Sequence, residues 1–162
     1  KLYSIIENNI IKTPKKTLKI CDVGSGAGFP GLVLDIINKE KGLGIGITLI
    51  ESNKKKCAFL GSVIKALNLN SLIINDRAEN IENNYDLIIA RAVAPLPKFF
   101  EYCKKISKKG SIFILPKGKK WEEELDQLKK KWNYKVNIVK NNKMIDKSGG
   151  VTLVLSNVKK NE

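Results

Sequence analysis

The sequence predicts an α/β protein built on a mostly parallel, seven-stranded sheet with an antiparallel strand pair at its C-terminal end. Three observations predict it. Short apolar runs alternate with segments whose apolar residues recur at helical spacing, the pattern of a parallel sheet covered on both faces. A glycine-rich turn separates the first such run from the first such helix. The last two β runs have no helix between them, so they must pair antiparallel.

The chain opens on a helical pattern at Leu2, Ile5, Ile6, Asn9 and Ile10. A first strand is expected over 18–23 and a helix over 30–39. The glycine-rich connection from Lys41 leads into a second strand, Ile45–Ile50. A helix over Asn53–Leu69 has Cys57, Leu60, Ile64 and Leu67 as its inner stripe and Asn53 or Ser52 as N-cap. Short strands follow at Leu72–Ile74 and Tyr85–Ala90. Pro95 opens a helix with Phe99, Tyr102, Cys103 and Ile106 facing inward. A fifth strand, Ser111–Leu115, should end at Pro116. The helix over 119–132 carries Glu122, Glu123 and Glu124 first and Lys129, Lys130 and Lys131 last, matching its dipole, with Trp121, Leu125, Leu128 and Trp132 as its apolar stripe. Strands over 133–140 and 151–158 complete the sheet.

A chain of 162 residues forms one domain, 1–162, able to bury about 70% of its unfolded surface. It starts at Lys1 rather than Met and begins directly on a helix, so an N-terminal helical segment is expected to be missing. Cys21, Cys57 and Cys103 are odd in number and lie in apolar stretches, reading as reduced core thiols of a cytosolic protein. No run of about 18 apolar residues suggests a membrane span. The 30 basic and 16 acidic residues leave a net charge of +14, which would draw in RNA or DNA; a lysine-rich composition accounts for it equally well. Arg77 and Arg91 are the only arginines, and both fall just past expected strand ends, where a planar bidentate fork would be useful. The chain has no histidine. That excludes histidine-assisted nucleophiles, HExxH sites and imidazole bases, and no CxxC pair suggests zinc.

The turn reads Asp22-Val23-Gly24-Ser25-Gly26-Ala27-Gly28-Phe29-Pro30-Gly31. A P-loop would end in Gly-Lys-Ser/Thr, whereas Leu32 and Val33 follow Gly31. A dinucleotide fingerprint starting at Gly24 would place its third glycine at Phe29. An acid two residues before the first glycine repels pyrophosphate but suits the cationic, phosphate-free S-adenosylmethionine. A dinucleotide, or a turn serving only helix packing, remains an alternative.

Ligands of such sheets lie beyond the carboxyl ends of the strands. There, Glu51 is placed to accept ribose hydroxyls, or to charge the start of the next helix. Asn75-Asp76-Arg77-Ala78-Glu79 would face an adenine, or Asp76 and Glu79 would cap a short turn. Arg91-Ala92-Val93-Ala94-Pro95 would floor the methyl-transfer site, with Arg91 a clamp or a partner of Asp22. The chain lacks the Asp/Asn, double-proline and aromatic set used on exocyclic amines, and it lacks a Pro-Cys nucleophile. A ring nitrogen such as guanine N7 needs neither, only positioning and desolvation. No catalytic side chain is therefore assigned; Arg91 is the candidate for positioning.

Asp22 to Leu32, with Pro30-Gly31 after the third glycine, together with Arg77-Ala78-Glu79, Ala90-Arg91-Ala92 and Lys117-Gly118, resembles the RsmG (glucose-inhibited division protein B) family of bacterial 16S ribosomal RNA guanine-N7 methyltransferases. The resemblance runs from about Ser4 to the last strand. It implies a Rossmann-like S-adenosylmethionine-dependent methyltransferase fold, a cofactor site at Gly24, Phe29, Ala78, Glu79 and Arg91, a cytoplasmic location, and a guanine of the small-subunit decoding region as target. With the residue readings above, the expected cofactor set is Asp22, Gly24, Gly26, Gly28, Phe29, Glu51, Ala78, Glu79 and Arg91. Arg77, Lys117, Lys119 and Lys120 are the candidates for substrate contact, on 16S ribosomal RNA or the assembled small subunit, by a monomer. Against the family's N-terminal helical segment, only a tail is expected here, and Ser148-Gly149-Gly150 stands where a basic residue is usual. A decayed, non-enzymatic RNA-binding module and a nicotinamide-dependent oxidoreductase are the competing readings.

Overall fold

The computed structural model describes residues 2–10, 18–140 and 149–161. Helix α1 spans Leu2–Ile10, β1 Lys19–Val23, α2 Gly31–Lys41, β2 Gly46–Ile50, α3 Lys54–Leu67 and β3 Leu72–Ile74. A single 3-10 turn, Ala78–Asn80, precedes β4 at Tyr85–Ala90; then come α4 at Leu96–Tyr102, β5 at Ser107–Lys117, α5 at Trp121–Lys129, β6 at Trp132–Lys140 and β7 at Val151–Lys160. The strands lie in the order β3-β2-β1-β4-β5-β7-β6. β7 is antiparallel to both β5 and β6, and the remaining pairs are parallel.

Strand alternation divides the core. Cys21, Val23, Ile88 and Ala90 face a cluster with Phe99, Phe100, Phe113, Leu125 and Trp132. Ile20, Leu49, Leu87 and Ile89 face the other side, against Ile5 and Ile6 of α1, Leu32 and Leu34 of α2 and Leu60 of α3. The three phenylalanines meet edge to face, with Phe100 and Phe113 centroids 4.8 Å apart.

Several expected boundaries shift. β5 does not end at Pro116 but runs on to Lys117. Its pairing with β4 stops at Ile114 while β7 continues alongside to Lys117, so no parallel neighbour needs the missing Pro116 N–H. The helix expected to reach Trp132 stops at Lys129, and Trp132 opens β6, paired with Lys160, its ring tilted against that of Phe100 with centroids 5.7 Å apart. Cys103 and Ile106 are fully buried, but in the turn after α4 rather than on its stripe. Helix α3 ends at Leu67, which is exposed; Asn68 takes a left-handed conformation and delivers Leu69 to the core in its place. Asn53 is the N-cap, its side chain accepting the Lys56 N–H at 3.1 Å.

Candidate active site

The turn after β1 is held from beneath and from the side. Gly24 and Ser25 donate backbone N–H groups to the Ile50 carbonyl at 2.8 and 3.1 Å, tying the turn to the end of β2. Asp22 is buried under it. Its Oδ2 accepts the Gly31 N–H, the first of α2, at 2.9 Å, and its Oδ1 is buried with no partner. Burial pushes the Asp22 carboxyl up to about 6, against the opposing pull of the Gly31 N–H and, more weakly, of the Arg91 charge. The Asp22 side chain thus fixes the loop from beneath and faces α2, not the open side of the turn where the expected cofactor contact would lie.

Three glycines are required by contact. At Gly28 (φ +91°) a Cβ would overlap Leu32 and lie 3.1 Å from Leu60, so this glycine packs on the inner face of the turn. A Cβ on Gly24 (φ +70°) would stand 2.7 Å from Val93 Cγ2, so the loop after β4 packs directly on the first glycine. A Cβ on Gly31 would overlap Leu49 and lie 2.7 Å from Asp22 Oδ2, so this glycine seats α2 on the sheet. Gly26 differs from all three. With φ +58°, the nearest neighbour of its Cβ position is the Gly24 carbonyl at 3.8 Å, leaving the outer face of the turn bare.

Glu51 faces that turn. Its Oε2 accepts the Gly26 N–H at 2.9 Å and its Oε1 accepts the Asn53 N–H at 2.8 Å. Each carboxylate oxygen has two lone-pair sites, so capacity remains for two hydroxyl donors. The Glu51 backbone is fixed as well: its carbonyl accepts from the Asn75 side chain at 2.9 Å and from the Cys57 thiol at 3.1 Å. Burial pushes the Cys57 thiol up, and Cys21 and Cys103 are buried free thiols also pushed up by burial. All three behave as core residues.

Beyond β3, Asp76 accepts from the Asn80 side chain at 2.8 Å and from the Arg77 N–H at 2.7 Å, which together hold its carboxyl below the usual range; the 3-10 turn itself has no side-chain cap. Ala78 is buried in the core, and Glu79 pairs with the exposed Arg77 at 3.7 Å. Asn75 is what joins this segment to Glu51. Phe29 is exposed and lines a separate apolar hollow of about 350 Å³ with Leu2, Val33, Arg91 and Thr152.

A larger cleft, about 740 Å³, opens between Arg91–Pro95 and Pro116–Gly118, closed by Glu124, Gly150 and Val151. Ala92 at its floor has φ +56°, an uncommon conformation for a residue with a Cβ, and follows the exposed Arg91. Lys117 borders this cleft, but it is a tethered cation: Nζ donates to Glu124 Oε2 at 2.7 Å and to the Ala94 carbonyl at 3.2 Å. Lys119 and Lys120 are exposed just before α5. Gly149 and Gly150 border this region, whereas Ser148 lies outside the described residues. Glu124 escaped the sequence reading. It sits in a run of three glutamates that suits a helix start, and nothing local distinguishes the third.

Comparison with known proteins decides the family. A model of the GidB family, described as rRNA small subunit methyltransferase G, matches residues 2–150. The chain belongs to this family. A ribosomal RNA small subunit methyltransferase G of Hyphomonas neptunium is 37% identical over 141 residues, covering 86% of this chain and 64% of the relative. Its counterpart in Mycoplasma capricolum is 44% identical over 117 residues, covering 70% and 49%. The chain thus spans about half to just under two thirds of the length of the curated relatives it matches. An S-adenosylmethionine-dependent methyltransferase from Clostridium acetobutylicum superposes with a TM-score of 0.71 at 12% identity, over 94% of this chain and 89% of its own. One from Aquifex aeolicus gives 0.69 at 18%, over 96% and 88%. These neighbours establish the Rossmann-like methyltransferase fold for this GidB-family chain.

Proposed function

We propose that the protein transfers a methyl group from S-adenosylmethionine to N7 of a guanine in 16S ribosomal RNA, acting as a cytoplasmic monomer on the small ribosomal subunit. The observation that carries the reading is Glu51: its carboxylate closes on the Gly26 N–H at 2.9 Å beside the bare face of the turn, with acceptor capacity for a ribose diol. The turn from Asp22 to Gly31 has no lysine or arginine to grip a pyrophosphate, and the two nearest acids would repel one. Family membership supports the substrate class.

When bound, the cofactor supplies a methyl group activated on a positively charged sulfur. The residues of this chain do the rest by placement. Glu51 and the glycine turn hold the nucleoside end. Ala92, Val93 and Ala94 are small, and Val93 packs on Gly24, which leaves room for a planar base in the neighbouring cleft. The N7 lone pair lies in the ring plane and carries no proton, so no general base is required, in keeping with a chain that has no histidine.

The test supplies the full-length protein with radiolabelled S-adenosylmethionine and undermethylated small subunits, followed by chemical cleavage at N7-methylguanine. Label in 16S RNA with cleavage at a guanine is expected. Binding of NADH in preference to S-adenosylmethionine, or cofactor binding without any label in RNA, would overturn the reading.

A further inference from the structure

We infer that Lys117 and Glu124 form a charge-compensated positioning pair, which fixes the floor of the substrate cleft and presents one ammonium N–H to an acceptor oxygen of the RNA. The inference rests on the function proposed above. Glu124 Oε2 takes two donors at once, the Lys117 ammonium at 2.7 Å and the Leu96 backbone N–H at 2.9 Å. Lys117 in turn reaches the Ala94 carbonyl at 3.2 Å. Both ends of the Ala94–Leu96 segment, which follows the left-handed Ala92 and leads into α4, are therefore tied to β5 and α5. The side chains are only 14% and 23% exposed, unlike the chain's surface ion pairs.

Two physical points make this more than a structural tie. An ammonium has three N–H bonds and Lys117 spends two within the protein, so one remains on the side that borders the cleft. In the proposed reaction, guanine presents O6 beside N7, whereas adenine presents an amino donor there, which an ammonium repels. A backbone phosphate is the other source of such an oxygen. The reaction also leaves a positive charge on the base. A lone lysine at the cleft would oppose it, and Glu124 cancels that lysine's charge, while Arg91 on the other wall is exposed and screened by water.

The experiment compares Glu124→Gln, Lys117→Met and the double variant with wild type, all in the full-length protein. Glu123→Gln serves as control, since it removes the same charge from the same helix turn at an exposed position. Methyl transfer to undermethylated small subunits, equilibrium binding of S-adenosylmethionine, RNA binding across salt concentrations and hydrogen exchange at the Leu96 amide are measured. Glu124→Gln keeps an acceptor for Leu96 and the side-chain shape; it should lower kcat about tenfold with little change in KM, leaving cofactor affinity within about twofold. Lys117→Met should cost a similar factor, and the double variant no more than the worse single one. A salt slope unchanged in Lys117→Met assigns the oxygen to the base; a slope shallower by about one assigns it to a phosphate. Single variants within about twofold of wild type would overturn the inference, as would faster Leu96 exchange with unaltered kinetics, or an equal loss in Glu123→Gln. If wild type binds cofactor but methylates nothing, the proposed function fails, and the pair is then judged by whether Lys117→Met weakens RNA binding while Glu123→Gln does not.

Discussion

Asp22 and Glu51 show how two acids one strand apart take opposite tasks. Glu51 receives two backbone N–H bonds and keeps acceptor capacity toward the turn, whereas Asp22 has one N–H bond and one buried oxygen without a partner. Asp22 is accordingly a buried support of the loop, its carboxyl raised from 3.8 to about 6 by burial. The sign of its effect on stability follows from linkage. The folded protein holds the Asp22 proton more tightly than the unfolded chain, so the group's stabilising contribution is complete below pH 3.8 and is lost as pH rises through about 6. A difference of that size corresponds to about 3 kcal/mol. Urea unfolding of wild type and Asp22→Asn at pH 4 and pH 7 checks it: Asp22→Asn, which cannot ionise, should gain on wild type by about 2 kcal/mol or more between those two values. A constant difference across the range would mean that Asp22 titrates normally.

At the level of elements, contacts override intrinsic preference. Helix α2 begins at Gly31, where alanine would be better by about 1 kcal/mol on helix propensity alone. A Cβ there meets Leu49 and the Asp22 carboxylate that anchors the helix start. Gly31→Ala is therefore expected to destabilise the protein by about 1–3 kcal/mol, measured by chemical denaturation, and to weaken cofactor binding through the displaced loop. The middle of α2 is held by Asp35, buried on its inner side. Asp35 accepts from the Asn70 and Ser71 backbone N–H groups at 3.1 and 2.8 Å and from the Ser71 hydroxyl at 2.5 Å, clamping the helix to the connection that leads into β3. Helical spacing marked Asp35 as a member of α2, but its partners lie 35 and 36 residues on, beyond the reach of any local pattern. The same holds for Trp132, whose spacing fits the α5 stripe. Its place in β6 follows from pairing with Lys160 and from the Phe100 ring, both distant in the chain.

Across the whole molecule, the excess of 30 basic over 16 acidic residues creates a field that acts on a polyanion and hardly at all on a cationic nucleoside. Binding measured at 50 and 200 mM salt should therefore separate the two ligands: affinity for small-subunit RNA is expected to fall more than about tenfold, while affinity for S-adenosylmethionine changes less than about twofold. Equal responses would remove the long-range electrostatic role of the lysines. The element order, the antiparallel C-terminal pair and the convergence of the turn, Glu51 and Arg91–Pro95 on the carboxyl edge were all legible from periodicity and glycine spacing. Those signals are local, because a strand, a tight turn and a helix each declare themselves within about ten residues. The family's identifying motif is of the same kind, lying almost entirely between Asp22 and Leu32. What local pattern could not supply was the partner of each polar side chain. That Asp22 turns under α2, that Glu51 binds Gly26, and that Glu124 rather than its two neighbours meets Lys117 and Leu96 became defined only when strands distant in sequence paired and brought those donors within 3 Å.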